Sequence, residues 1–219
     1  MNKIALILAT YKPDLKMLNQ ALECSNLFDE VILHVNDKET FDIVKCESKI
    51  KIIYREKRVT VQEAFNEAIY WCDKKFILNF TDDDFFHKPH LENLLNFIRT
   101  NKNCPNIIHY PIYAGNEKDG WHIWGDNSII TYDKLIKQNL IPFSCVYKKY
   151  VWQDVGGYKS GEFSDWRFWL DVLKNKYELY YTANPVYYHR EGHKETLSNK
   201  ESISFNKEEF IKRIINEQN

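Results

Sequence analysis

Apolar residues follow two spacings along this chain, and the two alternate. Ile4 to Ala9 is an unbroken apolar run, the pattern of a strand buried on both faces. After Pro13 and Asp14 the spacing changes to Leu15, Leu18 and Leu22, a helical stripe with Asp14 placed to cap it. Glu30 to Val35 and Lys49 to Tyr54 predict two more strands, separated by a charged, turn-rich stretch that contains Asn36, Asp37 and Lys38. Thr60 and Glu63 form a capping box ahead of Val61, Ala64, Phe65, Ala68, Ile69 and Cys72, which share one helical face. That helix leads into the buried run Phe76 to Phe80, and Pro89 then opens a helix whose face is Leu91, Leu94, Leu95 and Ile98. Repeated β-to-α steps predict an α/β fold with a mostly parallel central sheet flanked by helices.

The second half is less regular. Asn106 to Tyr113 and Ser128 to Tyr132 read as strands around a glycine-punctuated loop or flap, 115–127, that carries Trp121 and Trp124. Cys145 to Tyr147 follows Pro142, after which Tyr150 to Val155 reads as a short helix and Gly156-Gly157-Tyr158 as a turn. Trp166, Trp169, Leu170 and Leu173 fall on one helical face, with Ser164 or Asp165 at the cap. Glu178 to Tyr188 is a last strand region broken at Asn184-Pro185, and 207–215 is a short amphipathic helix. The division expected is a catalytic unit over 1–200, with a nucleotide-binding half (1–100) and an acceptor and base half (101–200), followed by a helical tail (201–219).

Composition narrows the partners. Basic and acidic residues number 30 and 31, which argues against a nucleic-acid footprint. The five cysteines are scattered and lack metal-type pairing, as expected in a reducing compartment. No run is long enough for a signal peptide or a membrane span, so the chain reads as cytoplasmic. The tail, with Phe210, Ile211, Ile214 and Ile215, has the apolar stripe to pack on the domain, meet a partner, or rest peripherally on a membrane.

Candidate chemistry concentrates where Phe76 to Phe80 gives way to Asp82, Asp83 and Asp84. Like charges at a strand end repel unless they stay solvated or a hard divalent cation gathers them. In open α/β sheets ligands bind beyond the carboxyl ends of the strands, which predicts that the loops after Ala9, Val35 and Phe80 converge. They carry Thr10 and Tyr11, Asn36 and Asp37, and the three acids, a set suited to a nucleotide diphosphate: a ring to stack on a base, an amide or acid to read it, carboxylates for a cation. The first turn, Thr10-Tyr11-Lys12-Pro13, has neither of the glycine patterns that cradle phosphate, which counts against dehydrogenases and P-loop enzymes.

Taken in order, Ala5 to Tyr11, Phe28 to Ile32, Ala64-Phe65-Asn66, Phe80 to Asp84, Val155 to Tyr158 and Ser164-Asp165-Trp166 resemble the landmarks of family 2 glycosyltransferases from residue 4 to about 198. The resemblance implies a GT-A fold, a nucleotide-sugar donor (a UDP-sugar foremost), a glycan or glycoconjugate acceptor, Mn²⁺ or Mg²⁺, and transfer with inversion. It implies Asp82 and Asp84 as metal ligands, with Asp84 the more direct, and Asp165 as the general base. Thr10, Tyr11, Asn36, Asp37, Arg58, Asn66, Asp83 and Arg190 fall on the donor side. Trp121, Trp124 and Trp166 fall on the acceptor side. Tyr188 to His193 resembles the family's late Arg and His segment, which makes His193 a third metal or diphosphate contact, while His189 reads as a structural histidine.

Competing readings stand beside these. Asp165 can serve as a helix cap, and one carboxylate can do both jobs. Trp121 and Trp124 can cover core. A non-catalytic sugar-binding module would use the same rings and acids but has no use for a base. A sugar nucleotidyltransferase would need a glycine- and arginine-rich first loop that Thr10 to Pro13 is not.

Overall fold

The computed structural model describes residues 1–125, 128–161, 163–192 and 206–217. The chain runs β1 (Ile4–Thr10), α1 (Leu15–Leu22), β2 (Glu30–Val35), α2 (Lys38–Val44), β3 (Lys51–Tyr54), α3 (Val61–Tyr70), β4 (Phe76–Phe80), β5 (Phe85–Phe86) and α4 (Lys88–Thr100). It continues β6 (Ile107–His109), β7 (Ile112–Asn116), β8 (Gly120–Trp124), α5 (Tyr132–Leu135), β9 (Val146–Lys148), α6 (Lys149–Asp154), α7 (Ser164–Lys174), β10 (Leu179–Tyr181), β11 (Tyr187–Arg190) and α8 (Lys207–Glu217).

Seven strands form the main sheet in the order β10-β6-β9-β4-β1-β2-β3. Every neighbouring pair is parallel except those of β9, which runs antiparallel to β4 and to β6. Because side chains alternate across a strand, each central strand feeds both faces. Ile4, Leu6 and Leu8 join Phe76, Leu78 and Phe80 under α1 and α4, while Ala5, Ile7 and Ile77 pack with Phe65, Ala68 and Ile69 of α3 and with Phe168 and Trp169 of α7. Burial on both sides is why these strands read as continuous apolar runs. A smaller sheet, β5-β11-β7-β8, stands beside the acids and holds β11 against them.

The predicted caps form. Asp14 accepts from the amides of Lys16 and Met17, and Thr60 and Glu63 close the capping box of α3. Elsewhere tertiary structure departs from the pattern. The stretch after Val35 is helix α2, capped by Asp37 and held down by Thr40, Val44 and the Phe41 ring stacked 4.3 Å from Tyr54. The expected flap contains the β7-β8 hairpin, whose turn is tied by Asn116 Oδ1 accepting from the amides of Lys118 and Asp119. Gly115 is required there, since a Cβ would lie 2.2 Å from the Gly120 oxygen. Asn106 to Tyr113 breaks into β6 and β7 around Pro111, and the expected strand at Ser128 to Tyr132 gives instead Thr131 capping α5. Neither Ser164 nor Asp165 is the α7 cap: Phe163, in left-handed conformation at φ +49°, precedes a helix that starts at Ser164. The α8 residues Phe210 and Ile214 are buried, with Phe210 against Phe163 and Trp166. Among the described residues no helix is long and apolar enough to cross a membrane.

Candidate active site

The parallel pairing of β1 with β2 and β4 brings Thr10, Asn36 and Asp82 to one edge of the sheet. Thr10 donates its hydroxyl to Asp82 Oδ2, joining the first loop to the acids. Asp37 bolts that loop to α2: Oδ2 accepts from the Lys12 amide at 2.8 Å and Oδ1 from the Thr40 amide at 2.8 Å. Burial would raise its pKa, but those amides reverse the effect and hold it below the ordinary value. Asn36 Oδ1 accepts from the Val59 amide at 2.8 Å, which turns its Nδ2 toward His34 Nδ1 at 2.7 Å. An amide NH₂ can only donate, so His34 carries its proton on Nε2 and donates it to Glu67 Oε2 at 3.0 Å. Asn36 and Asp37, expected to read the nucleotide, therefore spend these polar atoms on fixing loops. What those loops present is Tyr11, 40% exposed, with the Arg58 guanidinium 4.2 Å from its ring centroid.

The three acids divide sharply. Asp84 is 1% exposed, and both oxygens are engaged: Oδ2 accepts from the Thr81 hydroxyl at 2.7 Å and from His189 Nδ1 at 3.1 Å, and Oδ1 from the Arg190 amide at 2.9 Å. It fastens the acidic loop to β11, so both oxygens of this expected metal ligand already accept hydrogen bonds within the fold. Asp82 and Asp83 are partly buried, and among the described residues no lysine or arginine side chain forms an ion pair with either. Burial, then the charges of Asp83 and Asp84, push Asp82 up to about 6 against the Thr10 bond. Burial and the Asp84 charge likewise raise Asp83. Two crowded, unneutralised carboxylates are hard oxygen donors that a divalent cation would relieve. Among the described residues no cluster of three or more His, Cys, Asp or Glu is available. A two-carboxylate site suits Mg²⁺ or Mn²⁺ completed by substrate phosphates. His193 lies outside the described residues.

Arg190 is 4% exposed, and each of its guanidinium nitrogens donates a hydrogen bond within the fold. Its guanidinium donates to the Asp83 carbonyl, to Gln20 Oε1 at 2.6 Å and to Glu117 Oε1 at 3.1 Å, and lies 4.5 Å from the Phe85 ring centroid. These bonds make Arg190, expected as a phosphate contact, a corner post of the fold. His189, passed over by the sequence pattern, stands beside the acids. Burial alone would lower its pKa, but the Asp84 hydrogen bond and the Asp84 and Asp83 charges together raise it.

Asn66 is likewise a clamp where a donor contact was expected. Its Oδ1 accepts from the Tyr158 amide and from Trp152 Nε1, each at 2.9 Å, and its Nδ2 donates to the Tyr158 carbonyl at 2.7 Å. The clamp seats Tyr158, whose hydroxyl accepts from the buried Asn79 side chain of β4 at 2.6 Å. Asp165 lies in the first turn of α7, close enough to Tyr158 and Cys145 for its charge to raise both their pKa values. Burial raises Asp165 itself, opposed by the Trp166 amide and by Asn139 Nδ2, which donates to Oδ2 at 3.1 Å.

Of the expected acceptor-side rings, Trp166 is core, 4% exposed, with Nε1 donating to the Leu135 carbonyl at 2.7 Å. Trp124 packs partly buried on the core. Trp121 is partly exposed and meets Phe85 and Tyr188 edge to face, beside the stacked rings of Phe85, Tyr188 and Tyr113.

Comparison with known proteins bears on the family and the fold. The family model for glycosyl transferase family 2 matches residues 7–156. The uncharacterized glycosyltransferase YwdF of Bacillus subtilis (strain 168) is 26% identical over 196 residues, covering 79% of this chain and 69% of that protein. The crystal structure of S. aureus TarS 1-349 superposes with a TM-score of 0.69 at 17% identity over 86% of this chain. The same protein in complex with UDP-GlcNAc gives 0.71 at 16% identity over 90%. The chain spans 60% of the length of each of these TarS structures. With the family model covering most of its length and the sheet of a GT-A fold behind its acids, the chain belongs to glycosyl transferase family 2 and is a glycosyltransferase.

Proposed function

We propose that this glycosyltransferase moves a sugar from a nucleotide diphosphate sugar, with UDP-sugars first, to a hydroxyl of a glycan or glycoconjugate, with inversion at the anomeric carbon. The observation that carries the proposal is the pair Asp82 and Asp83, crowded and without an ion-pair partner among the described residues, together with a separate carboxylate, Asp165, whose affinity for a proton is raised by burial. TarS was solved with UDP-GlcNAc and with UDP on a similar fold, which supports the choice of donor.

In this reading Tyr11 and Arg58 meet the nucleotide, Thr10 orients Asp82, and Asp82 with Asp83 holds the cation and diphosphate. The cation, Mn²⁺ or Mg²⁺, supplies Lewis-acid stabilisation of charge on the departing diphosphate. Asp165 takes the proton from the acceptor hydroxyl as that oxygen attacks the anomeric carbon from the face opposite the leaving group. A raised proton affinity serves a base, provided the working pH keeps it ionised. Trp121 is the ring left for acceptor contact.

The test joins binding to turnover. UDP and UDP-GlcNAc, each with Mn²⁺ and with EDTA, should raise the melting temperature of the full chain in Mn²⁺ alone. Asp165→Asn should keep that shift while transfer falls about 10²- to 10⁴-fold. Equal shifts in EDTA would remove the metal, and undiminished transfer by Asp165→Asn would remove the base.

A further inference from the structure

We propose that Asn139 is the positioning residue for Asp165, orienting its carboxylate and keeping it ionised. The inference rests on Asp165 as the base and adds the group that makes a partly buried carboxylate usable as one.

Asn139 lies on the segment between α5 and β9, which is anchored on either side by Leu135 and Ile141, both fully buried. Its Oδ1 accepts from the Ile141 amide at 3.4 Å, so the NH₂ end faces Asp165 and donates to Oδ2 at 3.1 Å. An NH₂ group offers protons and no lone pair, so it stabilises the carboxylate and gives nothing to the proton of the neutral acid. The same segment grips α7 a second time, through Trp166 Nε1 donating to the Leu135 carbonyl at 2.7 Å. From the other side, Gln62 of α3 donates to Ser164 Oγ at 3.0 Å and to the Gly161 carbonyl at 3.1 Å. The first turn of α7 is therefore held between two elements, and Asn139 sets which way its acid points.

Electrostatics give the contact its importance. Among the described residues, Tyr158 and Cys145 face Asp165; burial pushes both well above their ordinary values, so they are neutral and offer no counter-charge. Burial raises Asp165, and the Trp166 amide and Asn139 oppose it. Without Asn139 the acid would hold its proton to higher pH and be empty-handed as a base over more of the working range.

The experiment uses the full chain with Asn139→Ala, Asn139→Ser and Asn139→Asp, and Asp165→Asn as the assignment control. Carbon-13 NMR titration of the Asp165 carboxyl needs no substrate. The expected result is a midpoint moved to higher pH in Asn139→Ala, further in Asn139→Asp where a second charge faces it, and near wild type in Asn139→Ser, which keeps a donor. UDP release from UDP-GlcNAc with Mn²⁺ should show its acidic limb moving in the same order. Below the limb Asn139→Ala should be about tenfold slower, a deficit that shrinks as pH rises. A structural role alone would lower the melting temperature without ordering the midpoints. An unmoved midpoint in both Asn139→Ala and Asn139→Asp overturns the proposal. Full UDP release by Asp165→Asn would overturn the base itself, leaving the carboxyl titration to decide the Asn139 contact separately.

Discussion

Replacing Asp84 with alanine separates a structural carboxylate from a metal ligand. Asp84 is 1% exposed and accepts from Thr81, His189 and the Arg190 amide at 2.7, 3.1 and 2.9 Å. A hydrogen bond to a charged group contributes roughly 1.5–3 kcal/mol, and removing one partner of a buried pair costs about 3–5 kcal/mol. The three bonds share one acceptor, so their contributions do not add. The expected loss is therefore about 3–5 kcal/mol, which for a chain of this size lowers the melting temperature by roughly 10 °C or more. Urea unfolding in EDTA reads this without any help from a cation. Asp83→Ala, which relieves burial and repulsion, should change stability by less than about 1 kcal/mol in the same buffer. A loss below about 1 kcal/mol in EDTA would refute the reasoning.

Other expectations test the surrounding supports. His34 is fully buried, and burial lowers its pKa below the ordinary 6.5 despite the Glu67 hydrogen bond. Below pH 6.5 the unfolded chain takes up a proton that the folded chain resists, so stability should fall as pH drops from there. His34→Gln should show a shallower pH dependence of the urea midpoint, and equal slopes would contradict the assignment. Asn66→Ala releases the Tyr158 backbone and Trp152 and should cost about 2–4 kcal/mol by denaturant unfolding. Gly157→Ala should also destabilise, because φ is +75° and a Cβ would sit 2.8 Å from Asn66 Oδ1. Trp166→Phe should lower stability through the lost bond to Leu135, while its KM for any acceptor stays unchanged; a raised KM would return Trp166 to the acceptor site.

The legible parts of this protein are those in which short stretches decide their own fate. Ile4 to Ala9 and Phe76 to Phe80 are apolar on both faces and can only be interior strands. Asp14, Thr60 and Glu63 bond to amides within three residues, so their caps are visible in the spacing. The edge where the acids gather follows from strand direction, and with it the presence of a site beyond β1, β2 and β4. By contrast, α2 hides because its stripe is short and its first turn is charged. The hairpin at Trp121 hides because its glycines serve a strand pair as well as a loop.

Within the site, sequence by itself determined which residue types assemble and at which end of the sheet: adjacent carboxylates, an aromatic first loop and a distant aspartate, in the order of family 2 glycosyltransferases. Only the tertiary structure decided which of their lone pairs are already taken. Asp82, Asp83 and Asp84 are chemically identical neighbours, and what distinguishes them is that β11 supplies the Arg190 amide and His189 to one of them from more than a hundred positions away. Asn36, Asn66 and Arg190 have the polar atoms a nucleotide would want, but partners brought in by folding already hold them. A carboxylate's role depends on whether its lone pairs are taken and how far burial raises its proton affinity, and both are set by residues remote in sequence.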